Sequence, residues 1–180
     1  MRYLLFGSLF FCLFTACSSS KAFITNDIGF IPFWTQDLRD SMQKNDFRMV
    51  ISTPKANITG ICIVKQVDGV WKGSIINEFG LKVFDFVSTP KKCELVNVVS
   101  FLNKSYIKKV IASDIQFIME IDNPNYFKGV QSNRQFVEEN LVIIYKNEKQ
   151  LQRHSDGKVE YKNNKHKLNY TLTKINEIKR

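Results

Sequence analysis

The chain has 180 residues, with 26 Lys and Arg against 17 Asp and Glu and a formal net charge of +9. That length allows one domain with a substantial core and leaves no room for a second. Its only histidines are His154 and His166 and its four cysteines form no CxxC pair, which excludes the usual zinc sites and leaves no cofactor implied.

Arg2 gives the chain a positive start, and the apolar run from Tyr3 to Phe14 is too short to span a hydrocarbon core of about 30 Å. Leu13-Phe14-Thr15-Ala16-Cys17 then sets small residues before a cysteine, which resembles the lipobox of a bacterial lipoprotein signal peptide. The resemblance implies cleavage after Ala16, a diacylglycerol on the Cys17 thiol and acylation of the new amino group. Each buried methylene contributes about 0.8 kcal/mol, so one acyl chain holds weakly and two or three hold firmly. Residues 1–16 are therefore expected to be a signal peptide, 17–30 a lipidated cysteine with its Ser18-Ser19-Ser20 tether, and 31–180 a single β-rich domain. Ser18 in place of an acidic residue favours the outer membrane, by resemblance to enterobacterial sorting. Lys21-Ala22-Phe23 lacks the acidic residues of a surface-export tag, so a periplasm-facing position in the bacterial envelope is expected. Losing residues 1–16 removes one Arg and no acid, which leaves a charge of +8.

Ile31-Pro32-Phe33-Trp34 begins an apolar entry, and a short helix is predicted over 35–43 with Thr35 or Asp37 as its cap. Period-two alternation then predicts antiparallel strands. The first runs from Phe47 to Thr53. The second and third, Ile58 to Val67 and Val70 to Phe79, are joined by Asp68-Gly69, which suits a two-residue type I′ turn. Leu81 to Ser88 follows, with Phe84 and Phe86 on one face and Leu81, Val83 and Val87 on the other. A strand apolar on both faces is covered or touches lipid. Cys93 to Leu102 completes a meander of about five strands.

Tyr106-Ile107, Val110-Ile111, Asp114-Ile115 and Ile118 recur at helical spacing, and Ser105 precedes them as a possible N-cap. One amphipathic helix is predicted over 105–120, stopped by Asn123-Pro124-Asn125. The loop from Asp122 to Asn133 carries Tyr126, Phe127, Gly129 and Val130, and either gates a cavity or packs over a barrel end. Strands are predicted again at Leu141 to Lys146, Gln150 to His154, Lys158 to Lys162 and Lys167 to Ile175. Leu168, Tyr170 and Leu172 share one face of the last.

Catalytic constellations are absent from the sequence: it has no GxSxG, Walker loop, HExxH or GxGxxG. His154-Ser155-Asp156 names the residue types of a hydrolase triad, but neighbours at a turn splay apart, whereas a triad is assembled from distant segments. The chain is therefore expected not to be an enzyme. Asp85 and Asp114, isolated acids near core positions, are expected to be satisfied by hydrogen bonds or to sit at a rim. Cys62 and Cys93 lie in apolar runs, and in an oxidising compartment they form a disulfide if their Cα atoms are within about 7 Å, or else remain two buried thiols. Ten Lys and Arg against four acids between Lys146 and Arg180 make a basic C-terminal stretch that suits an envelope partner or anionic lipid. Nucleic acid is not expected as a partner, for want of any recognition motif.

The stretch Ile58 to Phe86, with Thr59-Gly60, Asp68-Gly69, Gly73 and Asn77-Glu78-Phe79-Gly80, is similar to the strand–turn–strand–Gly–strand portion of the outer-membrane lipoprotein receptor LolB and its carrier relative LolA. The likeness of layout covers most of residues 30–175. It implies a mainly β, α+β fold: an antiparallel, partly open half-barrel wrapped on one central helix, cradling acyl chains. Phe84, Phe86, Ile107, Ile111, Ile115 and Ile118 would then contact lipid or lipoprotein acyl chains, or else fill a core. The receptor carries an exposed apolar side chain on an early hairpin loop, where this sequence has polar Pro54-Lys55-Ala56-Asn57. The function expected is that of a membrane-anchored, non-enzymatic lipid-binding lipoprotein. The alternative is an assembly lipoprotein that docks through its basic C-terminal face.

Overall fold

A computed structural model describes residues 45–123, 125–126, 132–137, 140–145 and 148–175. The lipobox, the tether, the entry at Ile31 to Trp34, the helix expected over 35–43 and most of the loop carrying Phe127 and Val130 lie outside the described residues. Those described form ten strands and one long helix. The strands are β1 (Asn45–Ser52), β2 (Asn57–Val67), β3 (Val70–Asn77), β4 (Lys82–Ser88), β5 (Cys93–Val96), β6 (Ser132–Val137), β7 (Asn140–Tyr145), β8 (Lys149–Arg153), β9 (Val159–Asn163) and β10 (Leu168–Lys174). The helix, α1 (Ser105–Glu120), lies between β5 and β6, after a short 3-10 turn at Ser100–Leu102.

All ten strands join one sheet in the order β5-β4-β3-β2-β1-β10-β9-β8-β7-β6. Every pairing is antiparallel. The chain lays strands outward from β1 to the β5 edge, crosses by way of α1, and returns from the β6 edge until β10 pairs with β1. The sheet is open: among the described strands β5 and β6 are the two edges and do not pair with each other.

Alternation decides which face is inside. In β1 the buried Phe47, Met49 and Ile51 alternate with less buried neighbours. Register carries that face across the sheet: Phe47 opposes Cys62, Cys62 opposes Ile75, and Ile75 opposes Phe84. In the other direction Ile51 opposes Tyr170, and Tyr170 opposes Tyr161. Removing each such side chain from water contributes about 1.5–3 kcal/mol, which holds the sheet on the helix.

Two glycines shape this face. A β-carbon at Gly60 would strike the backbone of Ile76, beside the register shift between Ile75 and Ile76, so only glycine fits this close approach. A β-carbon at Gly73 would strike the Phe86 ring, which lies across the bare backbone. The β2–β3 turn has Asp68 at φ 51° and Gly69 at φ 76°, the two positive angles of a type I′ hairpin.

Helix α1 spans 105–120, as its spacing predicts. Ile111, Ile115, Phe117, Ile118 and Met119 are buried, and the helix packs against β4 and β5. Its first turn differs from expectation. Lys104 occupies the N-cap position with no side-chain hydrogen bond, and Ser105 is the first helical residue. β5 ends at Val96, well before Leu102, because the backbone turns there: Asn97 takes φ 50° and the Val99 N–H bonds to the Val83 carbonyl. Leu81 belongs to the exposed β3–β4 turn and not to β4. The sequence reading has no counterpart to β6, whose polar Ser132-Asn133-Arg134-Gln135 start carries no apolar alternation and whose ladder is made with β7 alone.

Candidate functional site

Phe84 and Phe86 point from β4 toward the inside of the sheet, and Ile107, Ile111, Ile115 and Ile118 line one side of α1. The structure brings all six into one apolar cluster, with Ile107 only partly buried at its margin. Phe84, Ile115 and Ile118 have no accessible surface. A ligand reaches them only by displacing a neighbour, so occupancy by an acyl chain requires α1 and β4 to part.

Within this apolar lining sits a polar cluster that sequence reasoning did not assemble. Asp114, on α1 and fully buried, accepts hydrogen bonds at Oδ1 from Tyr161 Oη (2.7 Å) and Asn163 Nδ2 (2.7 Å), and at Oδ2 from Tyr170 Oη (3.1 Å). Lys149 Nζ lies 3.6 Å from Oδ1, donates to Ser113 Oγ (2.9 Å) and sits over the Phe117 ring. Burial lowers the Lys149 ammonium from its usual range, against the pull of Asp114. Burial, reinforced by the Asp114 carboxylate, raises both tyrosine hydroxyls well above theirs. Asp114 is thus satisfied by hydrogen bonds, as expected of it. Its partners come from β8, β9 and β10, and the signal for them was polar residues at inward positions of otherwise apolar strands. Beside this cluster a recess of about 180 Å³ is lined by Ser113, Glu148, Lys149, Lys165 and His166.

The far end of α1 is tied in the same way. Gln116 Nε2 donates to the Thr89 carbonyl (2.9 Å) and Ser88 Oγ to buried Glu120 (3.3 Å), while Arg153 pairs with Asp122 at 2.9 Å. Burial raises the Glu120 carboxyl above its usual range. The helix is therefore held to both halves of the sheet, by β4 with its following turn on one side and by β8 to β10 on the other.

The Cys62–Cys93 disulfide is not formed; both cysteines are free. They stand on β2 and β5, three strand spacings apart, which at about 4.8 Å each already exceeds the reach of a disulfide. Burial pushes each thiol up to about 12, so neither is a reactive thiolate near neutral pH. His154-Ser155-Asp156 forms the turn between β8 and β9, where the Gly157 N–H bonds to the His154 carbonyl and the Lys158 N–H to Asp156 Oδ1. Asp85 lies on the outer face and accepts from Ser74, Asn97 and Lys82. Among the described residues no group of three His, Cys, Asp or Glu could hold a metal ion.

Four described cations of the basic C-terminal stretch lie against acids. Lys149 and Arg153 turn inward to Asp114 and Asp122, Lys158 pairs with Glu160, and Lys165 lies 3.8 Å from Glu148. The β1–β2 turn is polar, as read, but the β3–β4 turn is not: Phe79 is 87% exposed and Leu81 65%. Neither the family models nor the curated proteins compared with the chain match it.

Proposed function

We propose that this chain is a lipoprotein of the bacterial envelope, anchored through Cys17 and facing the periplasm, with the outer membrane favoured. Its domain, a half-barrel of the LolA and LolB kind, binds acyl chains of lipid or lipoprotein without catalysing a reaction. The observation that carries this reading is an open ten-stranded sheet whose inner face and crossing helix meet in one buried apolar core, which an acyl chain enters as α1 and β4 part. The exposed Phe79 and Leu81 on the β3–β4 turn add to it as an apolar surface outside the core, while the turn at Pro54 to Asn57, where the resemblance to the receptor fails, is polar. Docking through the C-terminal stretch is the weaker reading, because two of its cations are spent inside the domain.

The test is titration of the mature protein with a fluorescent fatty acid. Saturable binding is expected, together with competition by unlabelled lipid and weakening when Ile115→Asp places a charge between α1 and β4. A signal that rises linearly with probe concentration and is indifferent to competitor would refute the reading.

A further inference from the structure

Antiparallel pairing throughout the sheet means that β1, β3, β5, β7 and β9 all run toward one end of the half-barrel. That end gathers the turns after those strands and the start of α1. Seven large apolar side chains are exposed among the described residues, and five of them, Phe79, Leu81, Val96, Phe101 and Tyr106, belong to this end. Such concentration is unusual for surface left to water. The segments are joined: the Val99 N–H bonds to the Val83 carbonyl, just past the Phe79 turn, and Tyr106 Oη is 2.9 Å from His166 Nδ1, in the turn between β9 and β10.

Charge accompanies the apolar residues. Residues 95–113 contain Lys104, Lys108 and Lys109 and no acid, and Lys55 and Lys167 lie in the neighbouring turns, against Glu78, which accepts from Thr59, and Glu148, which lies 3.8 Å from Lys165. Exposed aromatic rings at an end where lysines outnumber acids match the boundary between acyl chains and anionic headgroups, where Phe enters, Tyr stays at the polar level and Lys meets phosphate.

We propose that this end of the half-barrel docks on an anionic bilayer surface, with Phe79 and Phe101 inserted and Lys104, Lys108 and Lys109 against lipid phosphates. The proposal rests on the envelope reading for its bilayer but not on acyl-chain binding inside the sheet. Docked this way, the domain stands end-on, with the start of α1 and the recess beside Asp114 toward the membrane.

Hydrogen exchange of the mature protein with nanodiscs tests this directly. With phosphatidylcholine and phosphatidylglycerol at three to one, peptides covering 78–82 and 96–109 should exchange more slowly than with phosphatidylcholine alone. The triple variant K104Q/K108Q/K109Q should keep its melting temperature and, still anchored through its lipid, lose the added protection of 78–82 and 96–109 on the anionic nanodiscs, each lysine near an anionic surface being worth about fivefold. Phe101→Ser, a second exposed site, should weaken binding without altering the fold. Equal protection on both nanodiscs, or protection confined to peptides around Lys162 and Lys174, would overturn the proposal. Fatty-acid binding by the triple variant separates the two readings. If it is unchanged, both stand; if no variant or wild type binds the probe while nanodisc protection persists, the docking stands and the acyl-binding function falls.

Discussion

Asp114 shows how one residue sets the geometry of the interior. Its carboxylate is satisfied by two tyrosines and an asparagine from β9 and β10, with Lys149 close by, and no one of these contacts is local in sequence. A buried carboxylate left without such partners would cost several kcal/mol, so the cluster fixes the position of α1 over the sheet as firmly as the isoleucines do. It also predicts a pH dependence. Tyr161 and Tyr170 are held protonated in the folded state to well above the ordinary value of 10, so their contribution to stability is complete below pH 10 and is lost as pH rises beyond it. Urea unfolding followed from pH 8 to 11.5 should show stability falling above pH 10. The double variant Tyr161→Phe, Tyr170→Phe should be less stable throughout but flatter in that alkaline range. Equal slopes for the two proteins would show that these hydroxyls are not the linked groups.

Elements divide by how local their determinants are. The β2–β3 hairpin was legible because Asp68-Gly69 supplies both positive φ angles and period-two alternation flanks it. Helix α1 was legible because Ile107, Ile111, Ile115 and Ile118 repeat on one side, down to its boundaries at Ser105 and Glu120. β6 was not, since an edge strand pairs through its backbone whatever its side chains, and Ser132-Asn133-Arg134-Gln135 offers no apolar alternation to read. The candidate lining was legible residue by residue, while the polar cluster beneath it was not. Alternation marks Tyr161 and Asn163 as inward but says nothing of which acid they will meet. Glycine substitutions separate the local from the non-local. Gly69→Ala, where only the positive φ is at stake, should cost about 1 kcal/mol in chemical unfolding. Gly60→Ala, where the new carbon meets the Ile76 backbone at the bulge, should cost at least twice that, because the strand itself must move. Similar costs for the two would mean that the strands do not approach closely at Gly60.

At the scale of the described domain the arrangement is an open sheet packed on one helix. Ties along the second half of α1 and just past its end hold it: Asp114 to β8, β9 and β10, and Gln116, Glu120 and Asp122 to the turn after β4, to β4 itself and to β8. An open sheet packed on one helix, with exposed aromatics and lysines in the turns at one end, in a chain whose Leu13-Phe14-Thr15-Ala16-Cys17 resembles a lipobox, is what the proposal of a protein that works at a membrane and handles acyl chains rests on. Native mass spectrometry of the protein purified from its own envelope, compared with its denatured mass, addresses that claim most directly. The denatured mass should correspond to a chain beginning at an acylated Cys17, and the native mass should exceed it by a bound species in the lipid or acylated-peptide range. A native mass equal to the denatured one across gentle preparations would contradict the account, leaving the apolar lining as a packed core alone.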